Sequence, residues 1–537
     1  MALRDRRGAA LAFGLFAALA LAHTWPLVTA PATLSRTDSA DGLLNQWILG
    51  WVAHASVTDP FGLFDANIFH PEPRTLAFSE HLVVPAFFSA PVFWLGGSPV
   101  LAYNVALWIG LALTGWTTAL VLHRWTGDWP AALVAGSLAA FNTDTLTRMA
   151  HIQAMYVGFL PLALLALDDV LRRGERRDAL RLGAFAALQM LCSGYLLVMT
   201  AIALVTAALA RVREWIGAHL RSRLPLLAIA AVVAAVVCAP FLYQYYRVQH
   251  DQGLTRSIDE VRLYSGTWQN FLATGARVHF ATWARPYYAT ANSPAFPGVL
   301  PAVLALVAAG TGIAVRDPRA RMWLAIGIAG AALSFGPALP GYTVLYEAVP
   351  VLKGVRAVAR FSLLTLLAIG VLAAFGLAWV RTRVSTRGHA GLATAIGVAA
   401  VVIVNAENTR APMAFVRFAG IPPIYATLAR EPAVVAELPF PEPGRVAANA
   451  PAVHASTMHW QPLLNGYSGF TPASYVQHYL AFRSFPDPSS IGALRAAGVT
   501  HIVVDVAQVP GAVAALQGVD GVQLLAADNR RRIYRIR

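Results

Sequence analysis

Two carboxylates three residues apart, Asp38 and Asp41, stand in the stretch Leu34-Ser35-Arg36-Thr37-Asp38-Ser39-Ala40-Asp41, directly after an apolar run. On a helical turn they would share a face. A carboxylate so placed can deprotonate an acceptor hydroxyl or hold a divalent cation. The same residues also read as a helix start, with Asp38 or Ser39 as the N-cap of a helix over 41–56. The two readings are compatible if the aspartates divide the roles, and Arg36 is the cation nearest both. His70-Pro71-Glu72 and Ser79-Glu80-His81 pair the donor types of a metal site, without the helical HExxH spacing. Glu80 and His81 are the better placed pair, because they abut the apolar run 82–96.

A second group lies in Arg148-Met149-Ala150-His151-Ile152-Gln153. His151 and Gln153 open an apolar stretch, where polar side chains are costly and are either functional or hydrogen-bonded between packed helices. A third lies in Lys353-Gly354-Val355-Arg356-Ala357-Val358-Ala359-Arg360-Phe361. Arg356 and Arg360, four apart, fall on one face of a helix, and Lys353 adds a third cation. Paired guanidinium groups match phosphate oxygens; lipid headgroup contact is the other use of interfacial arginines. Near the C-terminus, His459-Trp460-Gln461-Pro462-Leu463-Leu464-Asn465-Gly466-Tyr467-Ser468-Gly469-Phe470 combines turn residues with aromatics. Those aromatics suit sugar or lipid contact, or packing. No nucleophile elbow, Ser-His-Asp order or Walker loop is present.

The elements that must position these groups follow from composition. The chain has 537 residues, 57% hydrophobic and 13% charged, with mean hydropathy +0.55. A soluble domain carries about 25% charged residues, so this chain reads as a polytopic α-helical membrane protein. Disorder, a coiled coil and a nucleic-acid-binding module are excluded. The formal charge of +14 is a matter of topology, since basic residues collect in cytoplasmic loops. Cys192 and Cys238 each lie in an apolar stretch and read as free thiols.

Runs long enough to span a bilayer, about 20 residues each, are read at 9–28, 99–122, 130–147, 152–171, 179–194, 195–210, 224–243, 297–315, 321–336, 361–380 and 390–405. Ser193-Gly194-Tyr195 marks a reversal between two of them. Residues 82–96, broken by Pro85 and Pro91, read as a re-entrant or interfacial helix. With the N-terminus cytoplasmic, the short inner loops are dense in arginine, as in Arg172, Arg173, Arg176, Arg177 and Arg181, which fits eleven spans and an outer C-terminus. The long segments 29–98, 244–296 and 337–360 then face outward, and long irregular segments are usually functional. Residues 1–405 make the membrane domain. Residues 406–537 carry no further span and read as a small extracytoplasmic α/β domain, with strands at 434–438, 502–506, 522–525 and 532–536 and helices at 488–498 and 509–516.

On these residues the chain resembles the GT-C superfamily of integral membrane glycosyltransferases, and within it the YfhO-type bacterial membrane proteins. The likeness is carried by Thr37-Asp38-Ser39-Ala40-Asp41, Arg148–Gln153, Ser334-Phe335-Gly336-Pro337, Val355–Phe361 and Asn465–Phe470. The resemblance implies a bacterial cytoplasmic-membrane enzyme that takes a sugar from a polyprenyl-phosphate carrier at the outer face and gives it, with inversion, to an envelope glycan, lipid or protein. It implies Asp38, with Asp41 second, as the catalytic base or metal partner. Arg356, Arg360 and Lys353 would hold the donor phosphate. The Asp-x-Asp pair is absent, so no cofactor follows from the pattern, and a divalent cation stays open. A flippase for lipid-linked saccharides would need polar residues through the spans, and only Asn104, Thr114, Gln189 and Asn405 are scattered there. A non-catalytic envelope assembly protein is the other alternative.

Overall fold

The computed structural model describes residues 3–537. These form two compact units, one of residues 3–29, 105–240 and 255–414, the other of residues 30–104, 241–254 and 415–537.

The first unit is helical. Among the described residues, four helical stretches of the chain are long and apolar enough to cross a membrane: Pro99–Thr126, Gly217–Gln252, Val358–Thr386 and Ala390–Asn408. They contain the predicted runs 99–122, 224–243, 361–380 and 390–405. The other predicted spans fall on Leu3–His23, Trp129–Phe141, Phe159–Arg173, Arg176–Cys192, Gly194–Ala210, Val299–Gly310 with Ile313–Arg316, and Pro318–Ser334. Local chemistry sets these ends. Asp128 caps one helix by accepting the Ala131 N–H at 2.8 Å, and Asp317 caps another through the Arg319 and Ala320 N–H groups at 2.8 and 3.1 Å. Ser193 makes the expected reversal, its Oγ accepting from the Tyr195 N–H.

Helix Ser362–Thr386 is the hub of this unit, packing on Val299–Gly310, Pro318–Ser334 and Trp129–Phe141. The scattered polar residues of the apolar runs are taken up by structure. Thr114 Oγ1 donates to the Met155 carbonyl at 2.6 Å. Gln189 accepts from the Leu160 N–H and donates to the Tyr156 carbonyl. Asn405 bonds His23 at 3.0 Å and Ser137 at 3.0 Å. Cys192 and Cys238 are free and buried, as expected.

The second unit joins the first long segment to the C-terminal residues. A two-residue antiparallel ribbon pairs β1 (Leu34–Ser35) with β2 (Val416–Arg417). A four-stranded sheet is built from β3 (Val435–Leu438), β4 (His501–Asp505), β5 (Val522–Ala527) and β6 (Arg531–Ile536), in the order β3-β4-β6-β5. β3 and β4 are parallel and the other pairs antiparallel. Residues 462–465 extend this sheet beyond β3: the Val435 N–H donates to Pro462 O at 2.8 Å and the Leu464 N–H to Val435 O at 2.9 Å. The first segment clips onto the far side of that extension, with Leu463 N–H to Asn67 O at 2.8 Å, His70 N–H to Leu463 O at 3.0 Å and Phe69 N–H to Asn465 O at 3.2 Å. Residues 30–104 are therefore built into the same body as the four strands. Within them, Val83–Trp94 is a 12-residue helix, about 18 Å long and too short to span a bilayer.

Candidate active site

The predicted site residues divide between the two units. In the second unit, helix Ala40–Thr58 begins at Ser39, whose side chain makes no capping bond. Asp38 precedes that cap and Asp41 lies in the first turn, so the two carboxylates do not share a helical face as the spacing suggested. Asp38 is instead held by Arg36 in a two-pronged ion pair, Nε–Oδ1 3.0 Å and Nη2–Oδ2 3.2 Å. Its side chain is 42% exposed, open enough to meet a substrate. The turn closes only because residue 42 is glycine: a β-carbon there would sit 2.1 Å from the Arg36 carbonyl oxygen. Asp41 Oδ1 accepts a hydrogen bond from the Tyr467 hydroxyl at 2.7 Å, and hydrogen bonds to charged groups are worth about 1.5–3 kcal/mol.

Glu80 and His81 lie just before helix Val83–Trp94. His81 is buried, with Nδ1 2.9 Å from the Tyr245 hydroxyl, which itself donates to Ser79 O at 3.0 Å. Among the described residues no three His, Cys, Asp or Glu side chains group as metal ligands.

In the first unit, the run 130–147 is broken where Asn142 accepts from the Thr145 N–H at 2.9 Å and starts the short helix Thr143–Thr147. This leaves Asp144 fully buried, accepting from Ser293 Oγ at 2.5 Å and paired with Arg148. His151 and Gln153 do not open the next long helix. They belong to the 3-10 turn Ile152–Met155, with His151 at its N-cap, and the helix proper starts at Phe159.

Arg356 and Arg360 also depart from the predicted helical face. Two 3-10 turns, Pro350–Gly354 and Val358–Phe361, flank an extended Val355, so the four-residue spacing carries no helical meaning. Each guanidinium lies on a tyrosine instead, Arg356 over Tyr264 at 5.3 Å and Arg360 over Tyr195 at 4.8 Å, as cation–π pairs do. Arg356 also contacts Glu260 at 3.4 Å, and Lys353 pairs with Glu347 at 2.6 Å. The segment is fixed through its backbone, by Ala359 N–H to Tyr264 O at 3.2 Å and Ala357 N–H to the Tyr195 hydroxyl at 3.2 Å. Ser334 of Ser334–Pro337 takes the Gly266 N–H at 2.8 Å, so two of the sequence motifs meet on residues 264–266.

Four residues were not among the sequence candidates: Tyr467, Tyr195, Tyr264 and Asp144. Tyr467 and Tyr195 sat inside stretches noted for turns, Asp144 sat inside the apolar run 130–147, and only the structure supplies their partners.

No protein-family model matches the sequence, and no curated protein does. Solved structures do match. The chain aligns with the arabinofuranosyltransferase AftD from Mycobacteria at TM-score 0.60 and 15% identity, over 99% of this chain and 40% of that one. It aligns with the archaeal oligosaccharyltransferase AglB from Archaeoglobus fulgidus, a complex with an inhibitory peptide and a dolichol-phosphate, at TM-score 0.52 and 12% identity, over 96% of this chain and 71% of that one. The chain thus spans about two fifths of the length of AftD. At these identities the likeness is one of fold alone: the chain shares its fold with these two solved transferases.

Proposed function

We propose that this chain is a membrane glycosyltransferase of the outer face of the bacterial cytoplasmic membrane. It moves a sugar from a polyprenyl-phosphate donor to an envelope glycan, lipid or protein acceptor. The observation that carries the reading is the likeness of nearly the whole chain to AftD, joined to an accessible carboxylate, Asp38, in the long segment that follows the first helix Leu3–His23. The narrower likeness to YfhO-type proteins rests on the short motifs alone.

The chemistry follows from the residues. The acceptor oxygen forms a bond to the anomeric carbon as the bond from that carbon to the phosphate oxygen breaks. The acceptor proton passes to the Asp38 carboxylate, with Asp41 as the second candidate. The leaving polyprenyl phosphate gains negative charge, and the groups of the first unit whose chemistry suits such a charge are Arg356 and Arg360, with Lys353 in support. Direct displacement inverts the anomeric centre. No step is routed through a metal. The flippase alternative loses ground because Asn104, Thr114, Gln189 and Asn405 spend their polar groups on backbone and side-chain bonds.

The test is transfer from a radiolabelled polyprenyl-phosphate sugar by purified protein, wild type against Asp38→Ala. We expect a loss of at least a hundredfold, on the order seen when a catalytic acid–base group is removed. Undiminished transfer by Asp38→Ala would remove Asp38 from the chemistry, and no transfer by the wild type would remove the transferase reading.

A further inference from the structure

We infer that Tyr467 is a positioning residue for the first-segment carboxylates, so that the C-terminal residues complete the active site. This rests on the transferase reading above. Tyr467 lies 426 positions from Asp41, yet its hydroxyl donates to Asp41 Oδ1 at 2.7 Å.

The loop that carries it is anchored on every side. Asn465 accepts from the Glu437 N–H at 2.7 Å and donates to the Glu437 carbonyl at 3.0 Å, tying the loop to β3. It also donates to Asn449 Oδ1 at 2.9 Å. Gly466 lies so close to Phe69 that a β-carbon would stand 2.4 Å from the ring. Phe470 meets Phe78 edge to face at 5.3 Å. A phenol on so rigid a base loses little freedom in making its bond, which is how a supporting shell holds a reactive group in place. The carboxylate end of the contact lies three residues from Asp38, on the first turn of the helix against which the Arg36–Asp38 turn closes. The hydroxyl therefore orients Asp41 and steadies the turn that presents Asp38.

The experiment compares Tyr467→Phe and Tyr467→Ala with wild type in full-length protein. It measures kcat and donor KM in the radiolabel assay, and thermal unfolding of Tyr467→Phe alone and combined with Asp41→Ala, which removes the acceptor. We expect both variants to lower kcat about tenfold or more with donor KM within about twofold, and the unfolding loss of Tyr467→Phe to vanish in the Asp41→Ala background. Wild-type activity in Tyr467→Phe overturns the inference, because the ring alone would then suffice. An unfolding loss that persists in the Asp41→Ala background also overturns it, because the hydroxyl would act elsewhere. Both results leave the transferase reading standing; absence of transfer in the wild type removes both.

Discussion

Three arginines from separate elements close on one buried carboxylate at Asp168. Arg211 Nη1 is at 2.7 Å, Arg319 Nε at 2.9 Å and Arg172 Nη1 at 3.8 Å. Arg211 is itself fully buried and also engages Glu214. Next to it, Asp169 takes Arg173 at 2.7 Å and Arg124 at 3.2 Å. The Arg356–Arg360 segment, in the same unit, handles its arginines differently. Their guanidinium groups lie on tyrosine rings. Arg356 is 40% exposed and has a 3.4 Å contact with Glu260, a carboxylate that Arg256 approaches to 3.2 Å. Buried carboxylates spend the arginine charge on packing at Asp168. At Arg356 and Arg360 the guanidinium planes are set against tyrosine ring faces instead, an arrangement of cation–π type. Arginine alone therefore says little about function; what it rests on says more.

The sharpest way to break this contrast is Asp168→Ala. It would take from buried Arg211 one of its two carboxylate partners, Glu214 being the other, and removing one member of a buried pair costs about 3–5 kcal/mol. We expect a large fall in thermal stability in detergent and poor recovery of folded protein. A variant that unfolds at the wild-type temperature would show that the network is not structural. Arg356→Gln and Arg360→Gln should do the reverse, keeping the unfolding temperature while lowering transfer by roughly 10²–10³-fold, the scale of losing one preorganised donor to a developing charge. Transfer at wild-type rates in both variants would return these arginines to a packing role.

How far this contrast was legible in the sequence depends on distance along the chain. The long apolar runs announced their helices because hydrophobicity is local, and the turn chemistry of Ser193-Gly194-Tyr195 did the same. The four strands near the C-terminus were likewise legible from short apolar runs between turns. The break at Asn142 escaped because one capping amide inside an apolar stretch is a weak signal. The spacing of Arg356 and Arg360 misled because it presumes an α-helix, whereas Val355 is extended between two 3-10 turns. Tyr195 and Tyr467 could not be assigned partners, since their contacts span 162 and 426 positions and no local spacing encodes them.

A smaller effect carries the contrast to the titratable groups of the second unit. His454 is buried against Phe418 at 5.1 Å, and its Nε2 has no hydrogen-bond partner among the described residues. Burial lowers its pKa from 6.5 to about 4. A histidine kept neutral by burial contributes stability that is present above pH 6.5 and is lost as the pH falls toward 4. By pH 5 the loss from this group is about 2 kcal/mol. Glu437 works in the opposite direction. Burial lifts its carboxyl to about 7, against the opposing pull of Tyr425 and Arg531, so its contribution is present below about pH 4.5 and lost as the pH rises toward 7. Acid unfolding near pH 5 should therefore depend on His454 and not on Glu437. His454→Phe, which keeps an aromatic ring beside Phe418, should raise the unfolding temperature at pH 5 relative to wild type and narrow the difference between pH 5 and pH 7.5. An unchanged difference between those two pH values would mean that other groups govern acid sensitivity. The buried imidazole would then be as inert to pH as an ordinary apolar neighbour.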